Sequence, residues 1–393
     1  MPWRETNPVK ERQTLIARWE RGGVSVAQLA VEAGVSRKTA HKWIARYQIW
    51  QGPGLEARSR APRTHPTRTP DAVRTFLVQT KLAHLTWGPK KLLGVMAERA
   101  PDLRRPAIST AAAILHQAGL VRPSKRRRRT PPWTASLVAG PMANDTWSID
   151  FKGWFRTGDG SRCEPLTVCD VATRYCLLCQ SLPHPRAAEV RRVLTRVFRR
   201  YGLPRVIRTD NGPPFASAGL GGLSALALWW IKLGILPERI TPAHPQENGR
   251  HERLHRTLTA EALQPVAPTL RAQQRAFDRF VQTYNHERPH EALGQCPPAR
   301  RYHRSPRPYP ATLPELTYPA TMTVRRVRSN GEIKWHGRKI FLSTILHGEP
   351  VGLAPLGNGR WTIQFGPLRI GMLDTRSSQV FKIPVEVSPM SLE

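Results

Sequence analysis

Residues 146–155 read TWSIDFKGWF, and this stretch decides how the middle of the chain folds. Apolar and polar side chains alternate along it, which is the pattern of a β-strand with one buried face. Asp150 stands in the middle of this predicted strand, where a buried carboxylate is costly unless a cation meets it. The strand therefore combines a core-forming pattern with an acid that needs a partner.

Downstream of this strand, apolar patterns of strand and helix type follow one another. In chain order they predict strands at 164–173 and 174–182, a helix at 186–202, a strand at 205–210, a helix at Leu223–Leu236 and a helix that begins near Glu247. The strand at 205–210 ends at Asp210, where open sheets place their ligand sites. This order predicts a mixed sheet with helices on both faces.

The first fifty residues predict a helix-turn-helix module. A helix at 14–21 is followed by Ser25-Val-Ala-Gln28, which has the form of a capping box, and by Ser36, a good N-cap for a third helix. The outward residues early in the third helix are placed to reach base edges in a DNA major groove. These residues are Arg37, Lys38, Thr39, His41 and Lys42. The alternative is a small helical bundle whose charged face is only solvated.

A second set of three helices is predicted at 70–123, after a first module at 1–52 and a Pro- and Arg-rich linker at 53–69. For this second set, DNA contact and a purely structural role both stay open. A basic linker at 124–141 follows, and its cationic run is expected to lie along phosphates, where binding gains from counterion release. The run consists of Lys125, Arg126, Arg127, Arg128 and Arg129.

The charge balance favours a polyanionic partner. The 393 residues carry 61 Lys and Arg against 28 Asp and Glu, and nucleic acid is the commonest partner of a chain with a formal net charge of +33. An anionic membrane surface is the main alternative, but no segment reaches the roughly 18 apolar residues of a membrane span. The five cysteines form no disulfide framework, which favours a reducing cytoplasm. We interpret the pair Cys176 and Cys179 as ordinary strand residues.

Two glutamates stand close together in the last predicted helix of this region. Glu252 has Asn248 one turn before it and His255 one turn after it on the same helix face. Glu247 points about 140° away on helical geometry, and in a first turn it would offset the helix dipole. Glu252 is therefore the better candidate for chemistry.

Three carboxylates, Asp150, Asp210 and Glu252, come from a strand, a strand end and a helix and could meet in one site. Such a set could hold two divalent metals about 3.5–4 Å apart, and oxygen ligands suit Mg²⁺ or Mn²⁺. Each acid also has a structural alternative: an arginine partner for Asp150, an Asx turn at Asp210, and a salt bridge from Glu252 to Arg256. Spacing alone does not decide between the two interpretations.

Several motifs occur in an order that is typical of one family. They are WSIDFKG (147–153), RTDNGPPF (208–215), HPQENGRHERLHRTL (244–258) and YNHERPHEAL (284–293). Together they resemble the integrase-type catalytic core of bacterial insertion-sequence transposases and retroviral integrases. The resemblance implies an α/β ribonuclease-H-like core at 142–302, in which Asp150, Asp210 and Glu252 are both the catalytic and the metal-binding residues.

The resemblance also implies a mechanism, in which two Mg²⁺ or Mn²⁺ ions are bound in each site. Water would cut the element end, and the exposed 3′ hydroxyl would join target DNA by direct transesterification. The expected partners are double-stranded DNA, as terminal repeats and as target, and further copies of the chain on that DNA. The expected location is the bacterial cytoplasm, at the nucleoid, with no membrane contact. Accessory roles, each with an equally good structural interpretation, are expected for Asn211, Gly212, His244, Gln246 and Asn248.

Two other features of the resemblance concern structure. Asp210 and Glu252 stand 42 positions apart, a somewhat longer gap than in the retroviral type, and the extra length is expected in the Gly-rich stretch ASAGLGGLSAL (216–226). In YNHERPH we expect Tyr284, Asn285, Arg288 and Pro289 to fix the closing helix and loop against the core.

The tail from Leu316 to Asp374 has short alternating stretches separated by Gly turns, which predicts a small β-barrel at 316–385. Its basic residues could give it a DNA face, although a barrel used only for assembly is nearly as good an interpretation. The chain is thus predicted to be multidomain: helix-turn-helix domains, a catalytic core and a C-terminal small β-barrel. Two alternatives to a transposase remain, a DNA-binding regulator with an inactive core and a metal-dependent nuclease that cuts without joining.

Overall fold

The computed structural model describes residues 7–57, 59, 68–121, 140–241 and 248–387. The chain divides into two compact units, Met1–Arg68 and Thr69–Glu393. The predictions on Lys125–Arg129, His244, Gln246 and Glu247 fall outside the described residues. No helix within the described ranges is both long and apolar enough to cross a membrane.

Three helices and a short 3₁₀ turn make up the first unit. They are α1 (Pro8–Glu20), α2 (Val26–Glu32), α3 (Arg37–Trp50) and the turn Gly52–Leu55. The predicted capping box is present, because the Ser25 hydroxyl accepts a hydrogen bond from the Gln28 backbone N–H at 3.3 Å. α1 begins earlier than predicted because Asn7 caps it and Pro8 suits the first helical position. Leu55 is buried in the core of this unit, so the module extends past residue 52.

The second unit begins with the second set of helices. They are α4 (Asp71–Ala83), α5 (Pro89–Arg99) and α6 (Ile108–Gln117). Leu77, Trp87 and Met96 form the centre of their common core. Lys81 closes the turn between α4 and α5, since its ammonium donates to the carbonyl oxygens of Leu85 and Trp87.

A mixed six-stranded sheet forms the middle of the chain, as predicted. Its strands are β1 (Thr146–Phe151), β2 (Phe155–Arg156), β3 (Arg162–Asp170), β4 (Cys176–Leu182), β5 (Val206–Thr209) and β6 (Leu236–Arg239). The order is β2-β3-β1-β5-β6, with β4 also paired to β3. β5 is parallel to both β1 and β6, whereas β3 is antiparallel to its neighbours.

Helices cover both faces of this sheet. They are α7 (Ala187–Tyr201), α8 (Ala225–Lys232), α9 (Gly249–Ala262) and α10 (Leu270–His286). Trp147 and Ile149 of β1 pack with α7 and α8 in one core cluster. On the other face, cysteines of β3 and β4 pack with α9 and α10. Because side chains alternate along a strand, Ser148 and Asp150 point to the α9 side.

One helix prediction needs correction. The apolar stretch Leu223–Leu236 contains a helix of only eight residues, α8, and then enters β6 after Gly234, whose φ of 68° ends the helix. α9 begins at Gly249 with Asn248 as its N-cap residue, close to the predicted start near Glu247.

The C-terminal strands form an open sheet, so the prediction of a closed small β-barrel is not confirmed. The strands are β7 (Thr323–Arg326), β8 (Glu332–Trp335), β9 (Arg338–Phe341), β10 (Pro350–Gly357), β11 (Arg360–Phe365), β12 (Leu368–Asp374) and β13 (Gln379–Val387). Five of them pair in the order β13-β12-β11-β10-β7, and β8 and β9 form a separate hairpin. Closure would need pairing between β13 and β7, which is not observed in the described part of the chain.

The core domain covers the apolar face of this open sheet. Leu220, Leu223 and Ile231, from the Gly-rich stretch and α8, share one cluster with the β10, β11 and β12 side chains. The Lys232 ammonium lies 2.8 Å from a Glu349 carboxylate oxygen across the same contact. The extra length between Asp210 and α9 is thus used to hold the C-terminal sheet.

Candidate active site

Asp150 occupies the penultimate position of β1 and faces the start of α9. The Asn248 side-chain amide donates a hydrogen bond of 3.1 Å to the Asp150 carboxylate. His255, about two helical turns further along α9, places Nδ1 3.9 Å from the same carboxylate oxygen. The side chain of Asp150 is 19% exposed, so one side of the carboxylate remains open to solvent. The predicted face of α9 therefore does reach Asp150, through Asn248 and His255.

Asp210 follows β5 directly and forms a tight turn. Its carboxylate accepts a hydrogen bond of 3.2 Å from the Gly212 backbone N–H, which is the predicted Asx-type contact. The Asn211 side chain donates to the Ile240 carbonyl oxygen at 2.8 Å, just after β6. Asn211 and Gly212 thus shape and anchor the turn that carries Asp210.

Glu252 lies in the first turn of α9 and is exposed. The neighbouring Arg253 and Arg256 are exposed as well, while Leu254 and Leu258 are buried against the sheet. Glu252 is therefore on the solvent side of the helix that covers Asp150. No hydrogen bond or ion pair of Glu252 occurs among the described residues, including the predicted alternative bridge to Arg256.

Electrostatics links the three predicted carboxylates. The pKa of Asp150 is raised to about 7, chiefly by burial and then by the negative charges of Asp210 and Glu252. A hydrogen bond from the Phe151 backbone and the charge of Lys152 act in the opposite direction. Asp150 therefore lies close enough to both other acids to feel their charge, in a place where a cation would relieve the repulsion.

The tightest group of potential ligand atoms is a different one. Asp150, His251 and His255 offer ligand atoms within 4.8 Å of one another. His251 is 1% exposed, and its ring nitrogens contact the Ser148 hydroxyl and, at 2.6 Å, the Thr167 hydroxyl. His255 Nε2 contacts the same Thr167 hydroxyl at 2.8 Å. Burial lowers the pKa of both imidazoles, that of His255 to about 4.

The role of His251 was missed from the sequence. Its signal was the spacing of His251 and His255, four residues apart and on either side of Glu252, which places both imidazoles on one helix face. What the sequence lacks is Thr167, which lies 84 residues before His251 and opposite Asp150 in the β1–β3 pairing.

Comparison with known proteins places this architecture in a family. The chain matches a helix-turn-helix domain family over residues 11–63 and integrase core domain families over 140–245 and 233–298. It is 31% identical over 207 residues to the uncharacterized 31.7 kDa protein of insertion element IS407 from Burkholderia multivorans, covering 52% of this chain and 72% of that protein. The chain belongs to the integrase-core proteins of bacterial insertion elements.

Other similar proteins come from bacteria and retroviruses. This insertion-element integrase protein is 28% identical over 285 residues to the uncharacterized 39.2 kDa protein of insertion element IS476 from Xanthomonas euvesicatoria, covering 72% of this chain and 79% of the relative. It also resembles a chain in the structure of the simian T-cell lymphotropic virus intasome in complex with PP2A regulatory subunit B56 gamma, with 17% identity, a TM-score of 0.37, and 74% of this chain and 96% of that chain covered. The HTLV-2 integrase catalytic core domain in complex with magnesium is 15% identical, with a TM-score of 0.33, and the match covers 41% of this chain and 98% of that chain.

The insertion-element integrase protein exposes most of the predicted DNA-contacting residues of α3. Arg37, Lys38, His41 and Lys42 are exposed. Thr39 differs from these four residues, because its backbone N–H and its hydroxyl both contact the Ser36 hydroxyl within the protein. Thr39 therefore helps to cap α3.

The motif YNHERPH fixes the end of α10, as predicted, and also holds the second set of helices. The Asn285 side chain makes two hydrogen bonds of 2.8 Å to the backbone of Cys176 in β4. Arg288 pairs with Glu261 of α9. The Lys91 ammonium of α5 donates to the Pro289 carbonyl oxygen. These contacts make one connected structure of α5, α9, α10 and β4.

The cysteines of the core are ordinary packing residues, which confirms their interpretation. Cys176 and Cys179 are buried free thiols, and burial holds the pKa of Cys179 well above its usual range. A thiol that stays protonated is a poor nucleophile and a poor metal ligand.

Proposed function

We propose that this protein is a DNA transposase that cuts the ends of its insertion element and joins the exposed 3′ hydroxyl to target DNA. The observation that carries the proposal is the carboxylate at Asp150, which is largely buried and repelled by Asp210 and Glu252. Carboxylates that repel one another at a largely buried position suit divalent cations, and an integrase core with a helix-turn-helix domain suits a DNA substrate. Asp150, Asp210 and Glu252 are the proposed catalytic residues.

The donor atoms of the site favour hard cations. Asp150, Asp210 and Glu252 offer only oxygen, which suits Mg²⁺ or Mn²⁺. The buried His251 and His255 would suit zinc better, but both nitrogens of His251 and Nε2 of His255 already contact hydroxyl groups. We therefore assign two Mg²⁺ or Mn²⁺ ions to the carboxylates. When bound, such ions polarise a phosphate and activate the attacking oxygen.

The protein's own residues would prepare this site. Asn248 donates to Asp150 and thereby fixes one carboxylate oxygen, leaving the other for a ligand. The turn made by Asn211 and Gly212 holds Asp210 at the end of β5. His244 and Gln246 stay predictions for contacts with substrate phosphate.

DNA binding would be divided between the helix-turn-helix unit and the rest of the chain. Arg37, Lys38, His41 and Lys42 are the proposed contacts of α3 with the terminal repeat, and Thr39 supports them by capping the helix. The basic run Lys125–Arg129 stays a prediction for phosphate contacts. Joining two element ends in concert would require at least two copies on the DNA, at the bacterial nucleoid.

A joining assay with purified protein tests the proposal. Labelled duplexes that carry the element's ends are incubated with supercoiled plasmid in Mg²⁺, and joined products are separated from merely cut ones. We expect joining that depends on the divalent ion and disappears in Asp150→Asn and Asp210→Asn. Asp102→Asn, which changes an exposed carboxylate of the second helical set, is the matched control and should join normally. Cut but never joined ends would identify a nuclease, and binding without cutting would identify a regulator.

A further inference from the structure

The outer face of α7 carries an unusual concentration of one charge. Its inner face is apolar, with Val190, Val193, Leu194, Val197 and Phe198 buried in the core. On its outer face five arginines are exposed: Arg191, Arg192, Arg196, Arg199 and Arg200. The helix contains a single acid, Glu189, and one of its carboxylate oxygens is buried. We call these five residues the α7 arginine face.

No carboxylate neutralises this face within the part of the chain that the structure describes. None of the five guanidinium groups forms an ion pair there, although ion pairs are found elsewhere on the surface. Like charges so close together repel one another, and a bound polyanion removes that repulsion. The positive charge of the α7 arginine face is therefore not balanced by any acid in the described part of the chain.

Aromatic rings hold several of these arginines in position. The guanidinium of Arg191 lies 5.3 Å from the Trp229 ring centroid, and that of Arg199 lies 5.7 Å from the Tyr309 centroid. Arg200 stands 5.1 Å from the ring of Tyr201. Stacking of this kind reduces the side-chain entropy that binding would otherwise cost. A merely solvated charge run has no need of such support.

The α7 arginine face lies on the side of the sheet opposite to the candidate active site. Trp147 and Ile149 point from β1 toward α7, whereas Asp150 points toward α9. A duplex whose phosphate lies at Asp150 approaches the α9 side. A polyanion on the outer face of α7 is therefore a separate segment.

We propose that the α7 arginine face binds the phosphate backbone of a second duplex DNA segment, distinct from the one at the active site. Arg192, Arg196 and Arg199 lie on one helix face over about 10 Å, a length that spans about three phosphates of one strand. Arginines that contact only phosphates do not distinguish one base from another. Binding at this face is therefore independent of the DNA sequence. The proposal deepens the proposed function and rests on it only for the identity of the polyanion.

The test is the salt dependence of DNA binding. Full-length protein carrying Asp150→Asn, in EDTA so that no cutting occurs, is titrated onto a fluorescent duplex of unrelated sequence at several salt concentrations. In the triple variant Arg192→Gln, Arg196→Gln, Arg199→Gln, the slope of log Kobs against log salt should become shallower by about 0.9 per lost contact, up to about 2.7. The triple Arg→Lys variant keeps the charge and should keep most of the slope.

A matched control removes the same charge from another helix. Arg271, Arg275 and Arg279 are exposed on one face of α10, where exposed Asp278 lowers the local charge. Their triple change to Gln should alter the slope by less than one unit. Equal slopes for the two triple Gln variants, or an unchanged slope for the α7 variant, would overturn the proposal. A protein that shows the α7 effect but never joins DNA would overturn the proposed transposase activity and leave this inference standing.

Discussion

The imidazole Nε2 of His251 lies 2.6 Å from the hydroxyl oxygen of Thr167, which ties α9 to the middle of β3. The same hydroxyl contacts His255 at 2.8 Å and lies 3.0 Å from the Asp150 carbonyl oxygen, to which it donates. One hydroxyl thus joins the strand that carries Asp150 to the helix that carries Glu252. Because buried polar contacts have strict geometry, this connection fixes the register of α9 on the sheet.

Removing that hydroxyl is the first test of the site's construction. Thr167→Val keeps the side-chain shape but leaves the ring nitrogens of His251 and His255 without their shared partner. We expect a loss of about 1–3 kcal/mol in the free energy of unfolding, measured by denaturant titration. We also expect slower joining at saturating DNA with unchanged DNA affinity. Thr167→Ser restores the hydroxyl and should restore joining. A fast-joining Thr167→Val variant would show that α9 needs no such anchor.

The stability of the metal-free protein should depend on the charge of Asp150. The pKa of this group is about 7 in the folded protein, above its unfolded value of about 3.9. Its contribution to stability is therefore fully present below about pH 4 and lost as the pH rises through 7, up to about 4 kcal/mol in total. Asp150→Asn should melt several degrees higher than the natural protein at pH 8 in EDTA, and at the same temperature near pH 4.

Divalent metal provides the complementary measurement. Mg²⁺ should raise the melting temperature of the natural protein at pH 8, because an ion that binds only the folded state stabilises it. The same addition should leave Asp150→Asn unchanged. An Asp150→Asn protein that is less stable than the natural one in EDTA at pH 8 would contradict the assignment of Asp150 as a repelled carboxylate.

The strands and the long amphipathic helix were predictable because their signals are local. Alternation in TWSIDFKGWF gave β1, and the apolar stripe of 186–202 gave α7 almost to the residue. β6 was not predictable, because its four residues, Leu236–Arg239, follow an apolar helix and do not alternate. Only pairing with β5 makes that segment a strand.

The same distinction between local and long-range signals applies to the candidate site. Asp150, Asp210 and Glu252 stand in recognisable motifs, so the sequence alone indicated them. The contact of His251 with Thr167 joins two segments far apart in the chain, and no local pattern indicates which hydroxyl a histidine will meet. The open C-terminal sheet has a similar origin, since its apolar face is covered by Leu220 and Leu223 of another segment rather than by closure into a barrel.

The contact between the Gly-rich stretch and the C-terminal sheet should be sensitive to one methyl group. Gly221 has a φ of 62°, and a Cβ there would lie 3.0 Å from Ile370 Cβ. Gly221→Ala should therefore lower the free energy of unfolding by about 1–3 kcal/mol, from backbone strain and crowding together. Gly88→Ala, with an ordinary φ and open space around it, is the control. A Gly221→Ala protein as stable as this control would mean that the residues around Gly221 accommodate the methyl group with no loss in the free energy of unfolding.

Glu252→Gln separates the chemistry of α9 from its packing. Glu252 is exposed and forms no hydrogen bond or ion pair within the described residues, so its loss should leave the fold unchanged. Its charge raises the pKa of Asp150, and the variant should therefore show a lower pKa for that group. If Glu252 is a metal ligand, the variant should join DNA more than about 100-fold more slowly. Loss of a residue that only supports a metal ligand costs roughly 10–100-fold. Glu247→Gln is the paired variant, and its effect on joining should be mild because the sequence assigns Glu247 to offsetting the helix dipole. Equal loss of joining in the two variants, measured with the same DNA ends and at equal DNA affinity, would mean that the acid of this segment was assigned to the wrong glutamate.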